Sequence, residues 1–322
     1  MNAQPGGTFY TQRTIIMYQY PKSIQTNEQL LKKWSDAGMI IEPDNNAIEV
    51  LDTIGYYRLK GYSFHFYNKV TGRYQEGTSF SDIVKLYHFD FRLSHLVFSF
   101  LSQIEVSLRA RFVSALLLHN DPLILNDPSI FRDKEDYWKN QSNIASEIAR
   151  SKDVFIIHNF DNYDGAIPLW AVVEVMSFGT LSKVIKNLKT ETAAYNAIVQ
   201  HYRFTSLSGN LIVPSKDMLT SWVQSVSVLR NICAHNSRIY NKVISTTPRL
   251  IDTDKVNPQP RYNGVYQILL AMKYLRPSDE KWNSFETELE DLIKEYSCVV
   301  DISRLNFAAD WTDHLRLPRS QE

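Results

Sequence analysis

Cysteine, glycine and net charge are all scarce in this chain, and each shortage narrows the field. Only Cys233 and Cys298 stand in 322 residues, too few for a disulfide framework or a Cys-x-x-Cys metal or redox site. The eleven glycines form no P-loop, no dinucleotide-binding Gly-x-Gly-x-x-Gly and no Gly-x-Ser-x-Gly elbow, and no His-Glu-x-x-His zinc motif occurs. Lys plus Arg and Asp plus Glu number 35 each, which denies the whole chain a broad electrostatic grip on nucleic acid but leaves room for a local site. No uninterrupted apolar run reaches the roughly 18–20 residues that span a bilayer, so no membrane partner is expected. No secretory signal opens the chain, and a reduced cytoplasm is the expected location. Apart from His235, the histidines are scattered singly. Neither a metal nor a cofactor has a visible ligand set.

What is present is concentrated in Leu229–Asn236, Leu-Arg-Asn-Ile-Cys-Ala-His-Asn, at the end of a predicted helix over Lys216–Ala234 with Ser215 as its N-cap. Arg230 offers a permanent cation whose forked donors match phosphate oxygens. His235 can take and give a proton near neutral pH. Asn231 adds a polar group beside the Arg. Such pairs arise by chance about once in a chain of this composition, and Arg58 with His65 is a second one, set in an aromatic run. Context separates them. From Met218 to Ile251 there is no Asp or Glu, while Arg230, Arg238, Lys242 and Arg249 all fall there. That local positive island suits phosphate, and Arg238 and Lys242 are its candidate RNA-binding residues. Cys233, inside the motif, reads as a small buried residue rather than a nucleophile.

The rest of the pattern is helical. A helix is expected to about residue 37, another over 46–59, then a hairpin of 62–67 and 73–80 around Thr71-Gly72. The longest helix is predicted over 81–119. On it Leu101, Glu105, Leu108, Phe112 and Ala115 share one stripe, with Arg109 four residues after Glu105. A carboxylate on an apolar stripe needs a partner. Two readings stand side by side: a self-contained Glu105–Arg109 pair, or a Glu105 that reaches across to hold Arg230. Further helices are expected over 134–150, 169–176 and on to 188, 191–202, 263–275 and 278–296. The fold class is mainly α with a small β-hairpin. The boundaries are a loose arm at 1–20, a helix–helix–hairpin module at 21–80, a helical domain at 81–315 and a tail at 316–322.

Four stretches together resemble a known family: Ile-Gly-Tyr-Tyr-Arg-Leu-Lys-Gly-Tyr-Ser-Phe-His-Phe-Tyr at 54–67, the aromatic-rich run at 87–112, Pro-Leu-Trp-Ala-Val-Val-Glu-Val-Met-Ser-Phe-Gly-Thr-Leu-Ser at 168–182, and Leu-Arg-Asn-Ile-Cys-Ala-His-Asn-Ser-Arg-Ile-Tyr-Asn at 229–241. The chain resembles the Abi-like (abortive infection) proteins of bacteria, within the HEPN superfamily of helical ribonucleases, over roughly residues 20–250. The resemblance implies a HEPN-like helical bundle in phage defence that cleaves RNA through Arg230 and His235, with Asn231 beside them. It implies a homodimer in which two motifs face each other, Glu105 as the acid supporting the Arg, and RNA as substrate or regulator. An antitoxin stays open. Where adenylylated relatives carry a Tyr two residues after the His, this chain has Ser237, which argues against an antitoxin of that kind. The alternative is a non-catalytic RNA-binding or sensor protein that holds a structured RNA or a phage component through the N-terminal module and the basic island, its motif serving only to bind phosphate and Tyr56, Tyr57 and Tyr62 available to stack bases. A plainer structural reading keeps Arg230 in a salt bridge with Glu105 and His235 as a cap on the helix end.

Overall fold

The computed structural model describes residues 22–43, 46–205, 210–255 and 263–317; the expected arm at 1–20 and most of the tail lie outside them. Thirteen α-helices and two two-stranded hairpins occur among the described residues, so the chain is mainly helical. It divides into two compact units, 1–81 and 82–322.

The first unit holds α1 (Asn27–Asp36), α2 (Ala47–Ile54), α3 (Tyr56–Ser63), β1 (Tyr67–Asn68) and β2 (Arg73–Tyr74). Thr26 and Gln29 close a capping box on α1. Trp34 is buried, its ring 4.6 Å from that of Tyr56 and 5.9 Å from that of Phe80. Two expectations are corrected here. The helix expected over 46–59 is broken at Gly55, whose φ of 88° an L residue avoids. The strand expected from Tyr62 is helical to Ser63, and pairing is confined to Tyr67 with Tyr74 and Asn68 with Arg73. Aromatic alternation there marks helical packing, with Leu59 and Tyr62 buried three apart.

The second unit is built on α4 (Phe80–Leu116), a helix of 37 residues, about 56 Å at 1.5 Å per residue. Leu86, Phe89, Leu93, Val97, Leu101, Ile104, Leu108 and Phe112 are all essentially inaccessible, repeating at three- and four-residue steps that set one stripe into the core. There follow α5 (Lys134–Arg150), α6 (Val154–Asn162), α7 (Leu169–Val175), α8 (Phe178–Asn187), α9 (Ala193–His201), the hairpin β3 (Phe204–Thr205) and β4 (Leu211–Ile212), and α10 (Lys216–Ala234). Three last helices are α11 (Val265–Leu275), α12 (Asp279–Glu295) and α13 (Trp311–Leu315). Helix α6 has no counterpart in the sequence reading, which passed over 151–160.

The helix that carries the motif is the one most plainly written in the sequence. Ser215 caps α10 by accepting from the N–H of Met218 at 3.3 Å. Leu219, Trp222, Val223, Val226, Leu229 and Cys233 form its buried stripe, and α10 packs there against α8 and α11. Trp222 is locked further, its indole N–H donating to the Arg249 carbonyl at 2.7 Å. Arg230 follows Leu229 at the margin of this stripe.

Candidate active site

Glu105 is not in a self-contained pair with Arg109: it contacts Arg230 as well. Arg109 Nη2 lies 2.5 Å from Glu105 Oε1, and Arg230 Nε lies 3.1 Å from Oε2. The carboxylate is buried and bridges two guanidinium groups, one on its own helix and one on α10. Arg109 is held from behind as well, since its Nη1 donates to the Val173 carbonyl and, at 3.5 Å, to that of Glu174. Two cations on one anion leave the cluster with a formal charge of plus one.

The Arg230 guanidinium lies 5.8 Å from the Phe98 ring centre, within cation–π range. Its Nε is buried and close to Glu105 without being aligned to hydrogen-bond it. The Nη1 contact to Asn231 Oδ1 is long, at 3.4 Å. A guanidinium carries five donors, so Arg230 is oriented by the acid while keeping donors for a phosphate.

His235 occupies the C-cap of α10 with φ −90° and ψ 12°. The chain then reverses in a Schellman motif: Asn236 takes the left-handed conformation at φ 49°, its N–H donating to the Cys233 carbonyl at 2.9 Å, and Ser237 N–H donates to Ile232 at 3.0 Å. The imidazole is exposed and makes no hydrogen bond or ion pair among the described residues. Because near-helical backbone persists to His235, Arg230 and His235 stand about 7.5 Å apart along the axis and leave it roughly 140° apart in azimuth. Helix α10 is continuous from Arg230 to Ala234 and ends at His235.

The strap after the motif is fixed by a residue the sequence reading passed over. Asp90, 2% exposed on α4, accepts from the N–H of Ile239 at 3.1 Å on both oxygens and from that of Tyr240 at 2.6 Å. Tyr240 is anchored in turn, its hydroxyl accepting from Asp301 N–H at 3.1 Å; burial pushes this phenol up to about 12. The available signal was the one that exposed Glu105, an acid on the apolar stripe of α4, but Asp90 has no Arg four residues away. Phe98, seven residues before Glu105, also went unremarked.

Cys233 is buried and burial pushes its thiol up to about 11, so it is a thiol at neutral pH rather than a nucleophile. The positive island is partly neutralised: Arg249 pairs at the surface with Asp217 at 3.1 Å, just outside the acid-free stretch. Arg238 and Lys242 lie half-buried in the strap, close in sequence to the helix end. Tyr57 is exposed whereas Tyr62 is buried.

Compared with known proteins, residues 49–241 match the model of the Abi-like protein family. The chain belongs to the Abi-like family. No curated protein and no solved structure matches it. The Abi-like span contains Asp90, Glu105, Arg109, Arg230, His235 and Tyr240, so the acid bridge, the motif and the strap anchor all fall within the matched residues. Helices α11, α12 and α13 lie beyond the match. Among the described residues no helix is long and apolar enough to cross a membrane.

Proposed function

We propose that this abortive-infection family member is a metal-independent endoribonuclease acting through Arg230 and His235. The observation that carries this reading is the pairing of an acid-oriented, partly exposed Arg230 with an exposed, uncommitted His235 on the same helix end. The attacking group is the RNA's own 2′-hydroxyl, which displaces the 5′-oxygen of the next nucleotide. The products are a 2′,3′-cyclic phosphate and a free 5′-hydroxyl. His235 takes the proton of the 2′-hydroxyl or gives one to the leaving oxygen, and Arg230 stabilises the charge that builds on the phosphate. Arg238 and Lys242 would hold neighbouring phosphates.

The reaction needs an acid and a base, and one motif supplies one imidazole. The azimuthal divergence of Arg230 and His235 sharpens that shortage. Both are answered by a symmetric homodimer in which two helix ends form one composite site. DNA, without a 2′-hydroxyl, is not a substrate.

The test is cleavage of mixed single-stranded RNA with EDTA present, comparing wild type with Arg230→Ala and His235→Ala. Wild type is expected to leave cyclic-phosphate ends. His235→Ala should lose roughly 10²–10⁴ in rate and Arg230→Ala roughly 10²–10³. If all three proteins bind RNA alike and none cuts it, the ribonuclease reading falls and the non-catalytic RNA-binding role takes its place.

A further inference from the structure

Beside the candidate active site lies a cavity of about 620 Å³ between α6, α7 and the Pro122–Leu123 turn, the size range of small organic-ligand sites. It is joined to the motif by contacts already described. Arg109, which shares Glu105 with Arg230, donates to the carbonyls of Val173 and Glu174 on α7, and Glu174 lines the cavity. A ligand against Glu174 is therefore linked to Arg230 through three residues, Glu174, Arg109 and Glu105.

The walls are aromatic. Trp170, Phe155 and Tyr163 line the cavity and are 50%, 40% and 57% exposed, and His158 packs edge-on to Tyr163 with ring centres 5.5 Å apart. Large aromatic surfaces left to solvent mark a binding face, and exposed rings of this kind are platforms for stacked bases. Among the polar groups of the wall, Asn159 is committed, its amide donating to the Phe155 carbonyl at 2.6 Å. The Glu174 carboxylate makes no hydrogen bond or ion pair among the described residues. Glu174 is solvent-exposed beside the aromatic wall, and an acceptor-only group so placed favours a ligand that is flat and presents donors. A wholly apolar occupant would desolvate that carboxylate without compensation.

We infer that this cavity takes one unpaired nucleobase of the RNA and reads its Watson–Crick edge through Glu174, with guanine preferred. The inference rests on the ribonuclease reading above. Guanine presents two adjacent donors, N1–H and the 2-amino group, matching the two oxygens of a carboxylate. Adenine and cytosine each present one amino group, and uracil sets carbonyls on either side of its single N–H. Reading that edge requires a base free of its pairing partner, so the substrate is single-stranded at this position. Trp170 supplies stacking and Glu174 supplies choice.

The experiment uses the full chain carrying His235→Ala, so that RNA is bound without being cut. Fluorescence polarisation compares 12-nucleotide labelled RNAs, one with a single guanine in an A/U background and one with that guanine replaced by uracil. The guanine RNA is expected to bind roughly 5- to 150-fold more tightly, the range for one bidentate contact. Adding Glu174→Gln should collapse that ratio to within about twofold of unity. Adding Trp170→Ala should weaken both RNAs, while circular dichroism shows each variant folded. In the active protein, Glu174→Gln should also scatter cut sites that otherwise cluster near guanines. RNA binding with no guanine preference, or a preference that survives Glu174→Gln, overturns the base pocket, leaves the ribonuclease reading standing, and gives the cavity to another occupant such as a protein segment. No binding of either RNA, together with no cleavage by wild type, sinks both.

Discussion

At the scale of single residues, Glu105 decides most. It is a buried anion shared by two guanidinium groups, Arg109 at 2.5 Å and Arg230 at 3.1 Å. Glu105→Gln keeps the shape and removes the charge, leaving two cations facing each other across an amide. Losing one member of a buried ionic cluster costs about 3 kcal/mol, visible as a lower urea midpoint. Arg230, no longer steered, should also drift from its cleavage geometry, where a displacement near 1 Å costs roughly 10²-fold in rate. A Glu105→Gln protein that melts early yet cuts RNA at the wild-type rate would show that Arg230 does not depend on this acid. The need for a partner to Glu105 was legible from its place on the apolar stripe. That it would hold both arginines was not, because nothing in a helical repeat fixes the distance to a second helix.

At the scale of elements, the sequence was most readable where capping and apolar spacing agree. Helix α10 runs over Lys216–Ala234 because Ser215 supplies the cap and Leu219 to Cys233 the stripe. Helix α6 was illegible for the opposite reason: Val154, Phe155, Ile157 and Phe160 are exposed while Ile156 is buried, so apolar residues fall on all sides and no period emerges. The strap after α10 was equally hidden, since its anchor lies on α4, 149 residues earlier in the chain from Ile239. That anchor makes a prediction for the element. In Asp90→Asn one of the two oxygens becomes an N–H₂ facing backbone N–H groups that need an acceptor. Charge-assisted bonds of this sort contribute about 1.5–3 kcal/mol, so denaturant unfolding should show a loss in that range. Hydrogen exchange at Ile239 and Tyr240 should speed up. Unchanged protection at those two amides would mean that the strap is held by the Tyr240–Asp301 contact instead.

At the scale of the whole molecule, the question is how a helix whose Arg and His point apart can serve one phosphate. Within one chain their offset of roughly 140° is set by helical geometry, and the Schellman reversal comes only after His235. Sequence spacing exposed this problem but could not settle where the helix would end. In the proposed symmetric dimer two helix ends would bring two Arg230 and two His235 to one composite site, and that arrangement carries a consequence that a self-contained site does not. Mix wild type with His235→Ala and allow subunits to exchange. In an equimolar mixture random pairing leaves half of the wild-type chains in all-wild-type dimers, so cleavage per wild-type chain falls to about half, and at ninefold mutant excess to about a tenth. If each chain cuts on its own, the rate per wild-type chain stays constant at every ratio. Sedimentation of the same mixtures, confirming that exchange has taken place, makes a flat profile decisive against the shared site.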